Sequence, residues 1–555
     1  MRTGGQILVD GLRIQGVEIA FGVPGESYLA VLDALHDASE IRFITCRQEG
    51  GAAMMADAYG KMTGKPGICF VTRGPGATNA SAGVHIAYQD STPMILFIGQ
   101  IERGNIDREA FQEIDYRRMF GQMAKWVAQI DDPDRIPEYI NRAWHTATSG
   151  RPGPVVLALP EDMLSQHSDV ADIPPHKSVE SHPSSLDLEH VGSLLQQSQR
   201  PFVIAGDSGW NAESCERLKT FAENWKLPIG TSFRSHDRID NTHACYAGDV
   251  GIGINPALGE RIKAADLILA IGTRLGEVTT SNYTILKAPQ PDQKLIHVYP
   301  GVEELGHVYR PTLGINASPS AFLKAINELP ANPGAWEDNT REAHEDYREW
   351  NTPPATVPGN THLGDIVKWL NQNVSPDTFI CNGAGNYSFW VHRFYQYRHY
   401  RSQLAPTNGT MGYGTPAAVA AKLIYPERDV IAFAGDGCFM MNGQEFATAV
   451  QYGANIIVIV VNNAMYGTIR MHQEREYPGR VSGTMLSNPD FAALAVAYGG
   501  HGEKVIRTED FPAAFERAKA SGKPAIIEIL QDPESINPNR TLSDIRANAQ
   551  ANPKD

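Results

Sequence analysis

The sequence has 555 residues, which at roughly 150 residues per domain points to three or four domains. Lys and Arg total 48 and Asp and Glu total 63, leaving a net charge of −15. Such an excess of acid excludes nucleic acid or an anionic membrane as the main partner, because both need clustered basic surface. With 42% hydrophobic and 20% charged residues, the chain can bury large cores, and disorder on a large scale is excluded.

No apolar run approaches the roughly 20 residues of a membrane-spanning helix. The N-terminal stretch MRTGGQILVDGL lacks a secretory h-region and cleavage site. Six cysteines (Cys46, Cys69, Cys215, Cys245, Cys381 and Cys438) are scattered without a CxxC pair. That is too sparse for a disulfide framework or a zinc ribbon. The expectation is a reduced, cytoplasmic protein with no membrane or nucleic-acid partner.

Two proline-rich stretches interrupt the chain. The first is DIPPHKSVESHPSS at 172–185; the second runs over about 330–360, with a charged helical stretch inside it. Proline stiffens such segments and denies them ladder hydrogen bonds. They divide the sequence into blocks at 1–171, 186–329 and 361–535, followed by a polar tail at 536–555. In the first block, GICFVT (67–72) and MILFIG (94–99) read as buried strands. In the second, FVIAG (202–206), LILAIG (267–272) and LIHVY (295–299) do so. The third has TFICNG (378–383), VIAFAG (430–435), NIIVIVVNN (455–463) and AIIEIL (525–530). Runs that are apolar throughout and alternate with helical stretches predict parallel sheets covered on both faces. The predicted fold is α/β, with three doubly wound domains.

In such sheets ligands bind beyond the C-terminal ends of the strands. Glycine clusters fall there: Gly74-Pro75-Gly76, Gly383-Ala384-Gly385 and Gly435-Asp436-Gly437. The GxxxxGK[ST] phosphate loop, HExxH, GxSxG and the nicotinamide fingerprint are absent. The most informative pattern is GDG at 435–437, followed by 24 residues and then Asn462-Asn463. A helix and a buried strand between them return both ends to one sheet edge. Asp436 offers a carboxylate oxygen and Asn463 a carbonyl oxygen, a ligand set suited to Mg²⁺ when it also holds phosphates. Gly435 and Gly437 admit close backbone approach, and the amides that follow, beginning at Cys438, open a helix whose N-terminus favours phosphate. A lone GDG reads as a turn; the spacing and strand context set this one apart.

The combination resembles the cofactor-binding pattern of thiamine-diphosphate enzymes. Further segments resemble the branch holding acetohydroxyacid synthases, pyruvate oxidases and benzoylformate decarboxylases, and acetolactate synthase large subunits above all. They are FGVPGE (21–26), QEGGAAMMADAYGKMTGKPG (48–67), VTRGPGATNASAG (71–83), AFQEID (110–115), SGRPGPVVLALPED (149–162), TMGYGTPAA (410–418) and GDGCFMMNGQE (435–445). The likeness runs in order along nearly the whole chain and is weakest in the second block. It implies a pyrimidine-binding domain at 1–171, a central domain at 186–329 and a diphosphate-binding domain at 361–535. It also implies that Glu49 hydrogen-bonds the aminopyrimidine N1′ of thiamine diphosphate, which needs an enclosed carboxyl group. By the same resemblance, the Gly409 carbonyl meets the 4′-amino group and Met411 props the bent cofactor. Asp436, Asn463 and the backbone carbonyl of Met465 hold Mg²⁺. Gly385, Asn386 and Tyr387 take the place of another diphosphate-contacting loop, departing from its usual Gly-Gln-His. Pro75 and Asn79 lie in the loop expected near the pyrimidine. In this family the two ends of the coenzyme are gripped by different subunits, which implies a homodimer at least and allows a dimer of dimers.

The implied reaction removes CO₂ from a 2-oxo acid and joins the remainder to a carbonyl acceptor. Gln112, in AFQE, matches the synthases. His472 stands nine residues after Asn463, where synthases carry tryptophan, and Glu161 stands where they carry lysine. Both departures weigh against acetolactate itself as product. Glu26 sits where simple pyruvate decarboxylases have a catalytic aspartate, so Glu26 and His472 are candidate proton-transfer groups. The His-His pair of those decarboxylases is missing, and Ile469 replaces their second glutamate. The run NNAMYGTIR (462–470) is similar to glyoxylate carboligases, which lack Glu49's counterpart. A 2-oxo acid decarboxylase without ligation is one alternative, and a non-catalytic relative that retains the cofactor grip is another. FAD is left open: Gly206–Gly209, Gly272-Thr273-Arg274 and residues 297–300 lie at strand ends of the second block, and Arg274 suits a diphosphate. Similar turns also occur in relatives without flavin.

Overall fold

The computed structural model describes residues 1–552, which form two compact units. The first unit comprises Met1–Val179, Val419–Pro426 and Asn442–Tyr452. Its strands are β1 (Arg2–Thr3), β2 (Ile19–Gly22), β3 (Arg42–Thr45), β4 (Gly67–Val71), β5 (Met94–Gln100), β6 (Trp126–Gln129), β7 (Pro154–Pro160) and β8 (His167–Ser168). Strands β1 and β8 form a short antiparallel pair. The other six form a parallel sheet in the order β3-β2-β4-β5-β7-β6.

The second unit comprises Glu180–Ala418, Glu427–Met441 and Gly453–Asp555. It carries two parallel six-stranded sheets. One is built from β9 (Pro201–Ala205), β10 (Ile229–Ser232), β11 (Tyr246–Val250), β12 (Leu267–Ile271), β13 (Lys294–Tyr299) and β14 (Leu313–Asn316), in the order β11-β10-β9-β12-β13-β14. The other is built from β15 (Phe379–Asn382), β16 (Gln403–Leu404), β17 (Val430–Gly435), β18 (Ile457–Asn462), β19 (His501–Val505) and β20 (Ala525–Leu530), in the order β16-β15-β17-β18-β20-β19.

The sheet of β2–β7 and the sheet of β15–β20 share one winding: each, counted from its own first strand, runs 2-1-3-4-6-5. The middle sheet runs 3-2-1-4-5-6. The order reverses between β2 and β4, between β9 and β12, and between β15 and β17. Such switch points open the crevices in which doubly wound sheets receive ligands. The glycine clusters singled out in the sequence therefore follow strands that border these crevices.

The central strands are apolar throughout because both faces are covered. In β9, Val203 and Ala205 pack with Leu218 and Phe221 on one side, while Phe202 and Ile204 pack with Leu258 and Ile262 on the other. In β12, Leu267, Leu269 and Ile271 alternate in the same way with Ile268 and Ala270. Burying one such large aliphatic side chain contributes roughly 2 kcal/mol. The charged stretch within the second proline-rich segment is the helix Glu337–Trp350, which buries Ala343 and Tyr347. Within the polar tail, Leu542–Ala551 is helical, and its Leu542 and Ile545 pack with Ile536 and Met465. All six cysteines are buried and unpaired. Among the described residues no helix is long and apolar enough to cross a membrane.

Candidate cofactor site

In the first unit, Glu49 opens the helix Glu49–Thr63, whose N-terminus is capped by the Gln48 side chain accepting from the Gly51 amide. An acidic residue in a first turn favours the helix dipole, so Glu49 serves the helix and projects its carboxylate as well. Its Oε2 accepts from Asn79 Nδ2 at 2.9 Å. Asn79 stands in the helix Pro75–Gln89, which starts directly after the turn that follows β4. The structure thus brings Glu49, Pro75 and Asn79 to the two helices beside the β2/β4 switch point. Gln112 joins them from another loop, with φ of 67°; a Cβ on Gly74 would come within 2.8 Å of the Gln112 Cβ.

Glu26 begins a short 3₁₀ turn after β2 and is tied to Arg73 at 3.0 Å. The Arg73 guanidinium is buried and also reaches Glu161 at 3.2 Å and the Phe111 carbonyl at 3.2 Å. Arg73 therefore gathers Glu26, Glu161 and the Gln112 loop around the start of the Pro75–Gln89 helix. Arg73 stands inside the VTRGPG run, but nothing local in the sequence marks it, because its partners lie far along the chain. Glu445 is a second such residue. It is wholly buried, accepts from the Arg47 and Gln48 amides at 3.0 and 2.9 Å, and so fixes the backbone just ahead of Glu49. Burial raises its pKa above the ordinary carboxylate value, against the hydrogen bonds from Thr448, Arg47 and Gln48.

In the second unit, four loops converge beyond the ends of β15, β17 and β18. Asp436 is buried; its Oδ2 accepts from Asn488 Nδ2 at 2.7 Å, and the same amide reaches Asn462 Oδ1 at 3.0 Å. Burial pushes the Asp436 carboxyl up from its ordinary value despite these bonds. Asn463, next to Asn462 in the chain, is buried, and Ala464 adopts a left-handed φ of 55°. Met465 bridges Met485 in a pair whose two ladder bonds come from the flanking residues, Tyr466 N to Thr484 O and Leu486 N to Ala464 O. The Met465 carbonyl is thereby left out of the bridge. A Cβ on Gly437 would come within 2.5 Å of the Tyr466 ring, and one on Gly467 would strike Asn386 Oδ1. The glycines are the condition for this approach.

Gly385, Asn386 and Tyr387 follow β15. Tyr387 turns its ring inward: its hydroxyl accepts from the Gly383 amide at 3.0 Å and lies 3.5 Å from Cys438 Sγ. Cys438 Sγ in turn accepts from the Gly412 amide at 3.2 Å. One buried thiol thus links the loop at 383–387, the loop carrying Gly409 and Met411, and the GDG turn. Among the described residues no cluster of three or more His, Cys, Asp or Glu is suited to a metal. A cation here would find one carboxylate with amide and carbonyl oxygens, a donor set that fits Mg²⁺ sharing phosphate oxygens. His472 lies in the helix Gly467–Glu476. Burial first, then the charge of Arg475, lowers its pKa from the usual imidazole value, which keeps it neutral and able to accept a proton near pH 7.

Glu474 of that helix, a third such residue, accepts from Arg546, Arg470 and the Gly479 amide. The Arg546 bond leads in holding its pKa down to about 2 from the ordinary 4.5. A depressed folded pKa means that the stabilisation is complete above about pH 4.5 and is lost as pH falls from there through about 2. We expect Glu474→Gln to cost about 2 kcal/mol at neutral pH, discounted for the solvent that reaches Arg546. Urea melts should show the two curves converging toward pH 2; a constant gap would contradict the assignment.

Three family models match the chain: the thiamine pyrophosphate enzyme N-terminal TPP binding domain over residues 2–119, the central domain over 188–326 and the C-terminal TPP binding domain over 383–529. The acetolactate synthase large subunit of Corynebacterium glutamicum is 30% identical over 95% of this chain and 86% of its own length. The probable acetolactate synthase large subunit of Methanocaldococcus jannaschii is 31% identical over 96% of this chain and 93% of its own. The acetolactate synthase isozyme 2 large subunit of Escherichia coli is 29% identical over 96% of both chains. The chain belongs to the thiamine pyrophosphate enzyme family. It is a thiamine-diphosphate-dependent enzyme of the carboligase type.

Proposed function

We propose that this enzyme decarboxylates a 2-oxo acid and joins the remaining acyl fragment to a carbonyl acceptor, using thiamine diphosphate and Mg²⁺. The convergence of the Asp436, Gly385–Tyr387 and Gly409–Met411 loops through Cys438, with Asn488 joining Asp436 to Asn462 ahead of Asn463–Met465, is the observation that carries this reading. When bound, the coenzyme supplies the carbanion chemistry that releases CO₂. Asp436, Asn463 and the Met465 carbonyl would hold the cation, and the amides from Gly437 onward would take the diphosphate. Gly409 and Met411 would orient the rings, and Glu49, steadied by Asn79, would hold at its carboxylate the proton exchanged with the aminopyrimidine. His472, neutral and half-buried, is the better-placed proton acceptor of the two candidates, since Glu26 is engaged by Arg73. We read the assembly as a cytoplasmic homodimer or dimer of dimers whose subunits share each coenzyme, with small molecules as its partners.

Flavin is not part of this reading. The β9/β12 crevice is lined with acid: Asp207 Oδ2 accepts from the Arg274 amide at 2.7 Å, and Glu304 pairs with the Arg274 guanidinium at 3.3 Å. A flavin's diphosphate would meet both carboxylates, and Arg274 is already engaged. The purified enzyme should show no flavin band in its visible spectrum.

The decisive experiment supplies purified enzyme with thiamine diphosphate, Mg²⁺ and a panel of 2-oxo acids, with and without aldehyde acceptors. Release of CO₂ from at least one acid, with a 2-hydroxyketone formed when an acceptor is present, is expected. Release without ligation would make it a decarboxylase, and no release from any acid would end the proposal.

A further inference from the structure

A cavity of about 950 Å³ opens in the second unit, running from Gly385 and Gly409 to the ends of β10 and β11. That is near the upper end of small-molecule pockets, roughly 300–1,000 Å³. A short 2-oxo acid fills little of it, even after the coenzyme takes its share at the Gly409 end. The charge on its wall is unusual for this molecule. The whole chain carries −15, yet the cavity lining holds Arg234, Arg393, Arg475 and Arg540 against one carboxylate, Asp249.

Two of these arginines bear on a ligand. Arg393 lies flat on Trp350, 3.6 Å from its ring centre, with Nη1 on Asn539 Oδ1 at 2.6 Å and Nε on the Trp350 carbonyl at 2.7 Å. No carboxylate pairs with it among the described residues, and burial alone lowers its pKa to about 10. A half-buried guanidinium held in one plane and lacking a counter-ion is a preformed partner for a planar or tetrahedral anion. Arg540, exposed and one residue beyond Asn539, completes a cationic end, its backbone fixed by Asn537 Oδ1. On the floor, buried His236 pairs with Asp249, Nε2 to Oδ1 at 3.4 Å, so the one carboxylate of the lining is already matched.

We propose that this cavity receives a co-substrate with a second acidic group, carboxylate or phosphate, several bonds from its reacting carbonyl, and that Arg393 and Arg540 bind that group. The inference rests on the carboligase reading and goes beyond it by naming the substrate class. Two matched pairs separate the sources: 2-oxoglutarate against 2-oxobutyrate as donor, and glyceraldehyde 3-phosphate against glyceraldehyde as acceptor. In the holoenzyme at least one acidic member should exceed its neutral congener in kcat/KM. In Arg540→Gln and Arg393→Gln that ratio should fall about tenfold or more, the loss expected for one charge-assisted hydrogen bond; Arg393→Lys should recover part of it. Calorimetric titration of the holoenzyme with the same compounds provides the readout if turnover is missing, so failure of the carboligase reading is told apart from failure of this one. Equal use and equal binding of acidic and neutral members, or a preference unchanged in both Gln variants, would overturn the proposal.

Discussion

Glu49→Gln is expected to lower thiamine-diphosphate-dependent CO₂ release by about a hundred- to ten-thousand-fold, the usual contribution of a positioned acid–base group. The replacement preserves shape. The amide oxygen can still accept from Asn79 Nδ2, now at 2.9 Å from the carboxylate, and glutamine is tolerated in a first helical turn at a cost of a few tenths of a kcal/mol. The helix Glu49–Thr63 should therefore stay folded, held beneath by Glu445 on the Arg47 and Gln48 amides. What is lost is the capacity to exchange a proton. Coenzyme binding, followed by calorimetry, should fall far less than turnover. A glutamine enzyme that retained the parental rate would remove Glu49 from the chemistry and with it the central step of the assignment.

Asp436→Ala is expected to act on the opposite end of the coenzyme, weakening Mg²⁺-dependent thiamine diphosphate binding by more than about a hundredfold, beyond the 10–100-fold typical of a residue that merely supports a ligand. The thermal signature is diagnostic. Without cofactor, Asp436 is a buried carboxylate whose charged form is disfavoured by desolvation, so its removal should leave the apo-enzyme at least as stable. Adding coenzyme and Mg²⁺ should then raise the melting temperature of the parent, by the linkage between binding and folding, and leave the variant where it was. A variant that gains as much as the parent would show that another residue holds the cation.

The sequence made the sheet centres plain and left the edges obscure. β5, β12, β17 and β18 are apolar at nearly every position because helices cover both of their faces, and these were readable as runs. The edge strands β3 (RFIT), β6 (WVAQ) and β19 (HGEKV) mix polar residues in because one side of each strand has no neighbour. The candidate site divides in the same way. The GDG and NN turns announce themselves through glycine and oxygen ligands at strand ends. Arg73, Glu445 and Glu474 do not, because each acts through partners distant in sequence: Arg73 meets Glu161, Glu445 meets Arg47, and Glu474 meets Arg546. No local pattern encodes such pairings. The arginine-lined cavity is likewise an assembly of residues from 234 to 540, visible only after folding.

The clasp between Glu474 and Arg546 ties the helix Gly467–Glu476 to the helix Leu542–Ala551. Without Arg546, Glu474 keeps only Arg470 and the Gly479 amide, and the segment bearing His472 loses a fastening. Substitutions that loosen the Leu542–Ala551 helix should accordingly disturb the reaction centre more than their distance along the chain suggests.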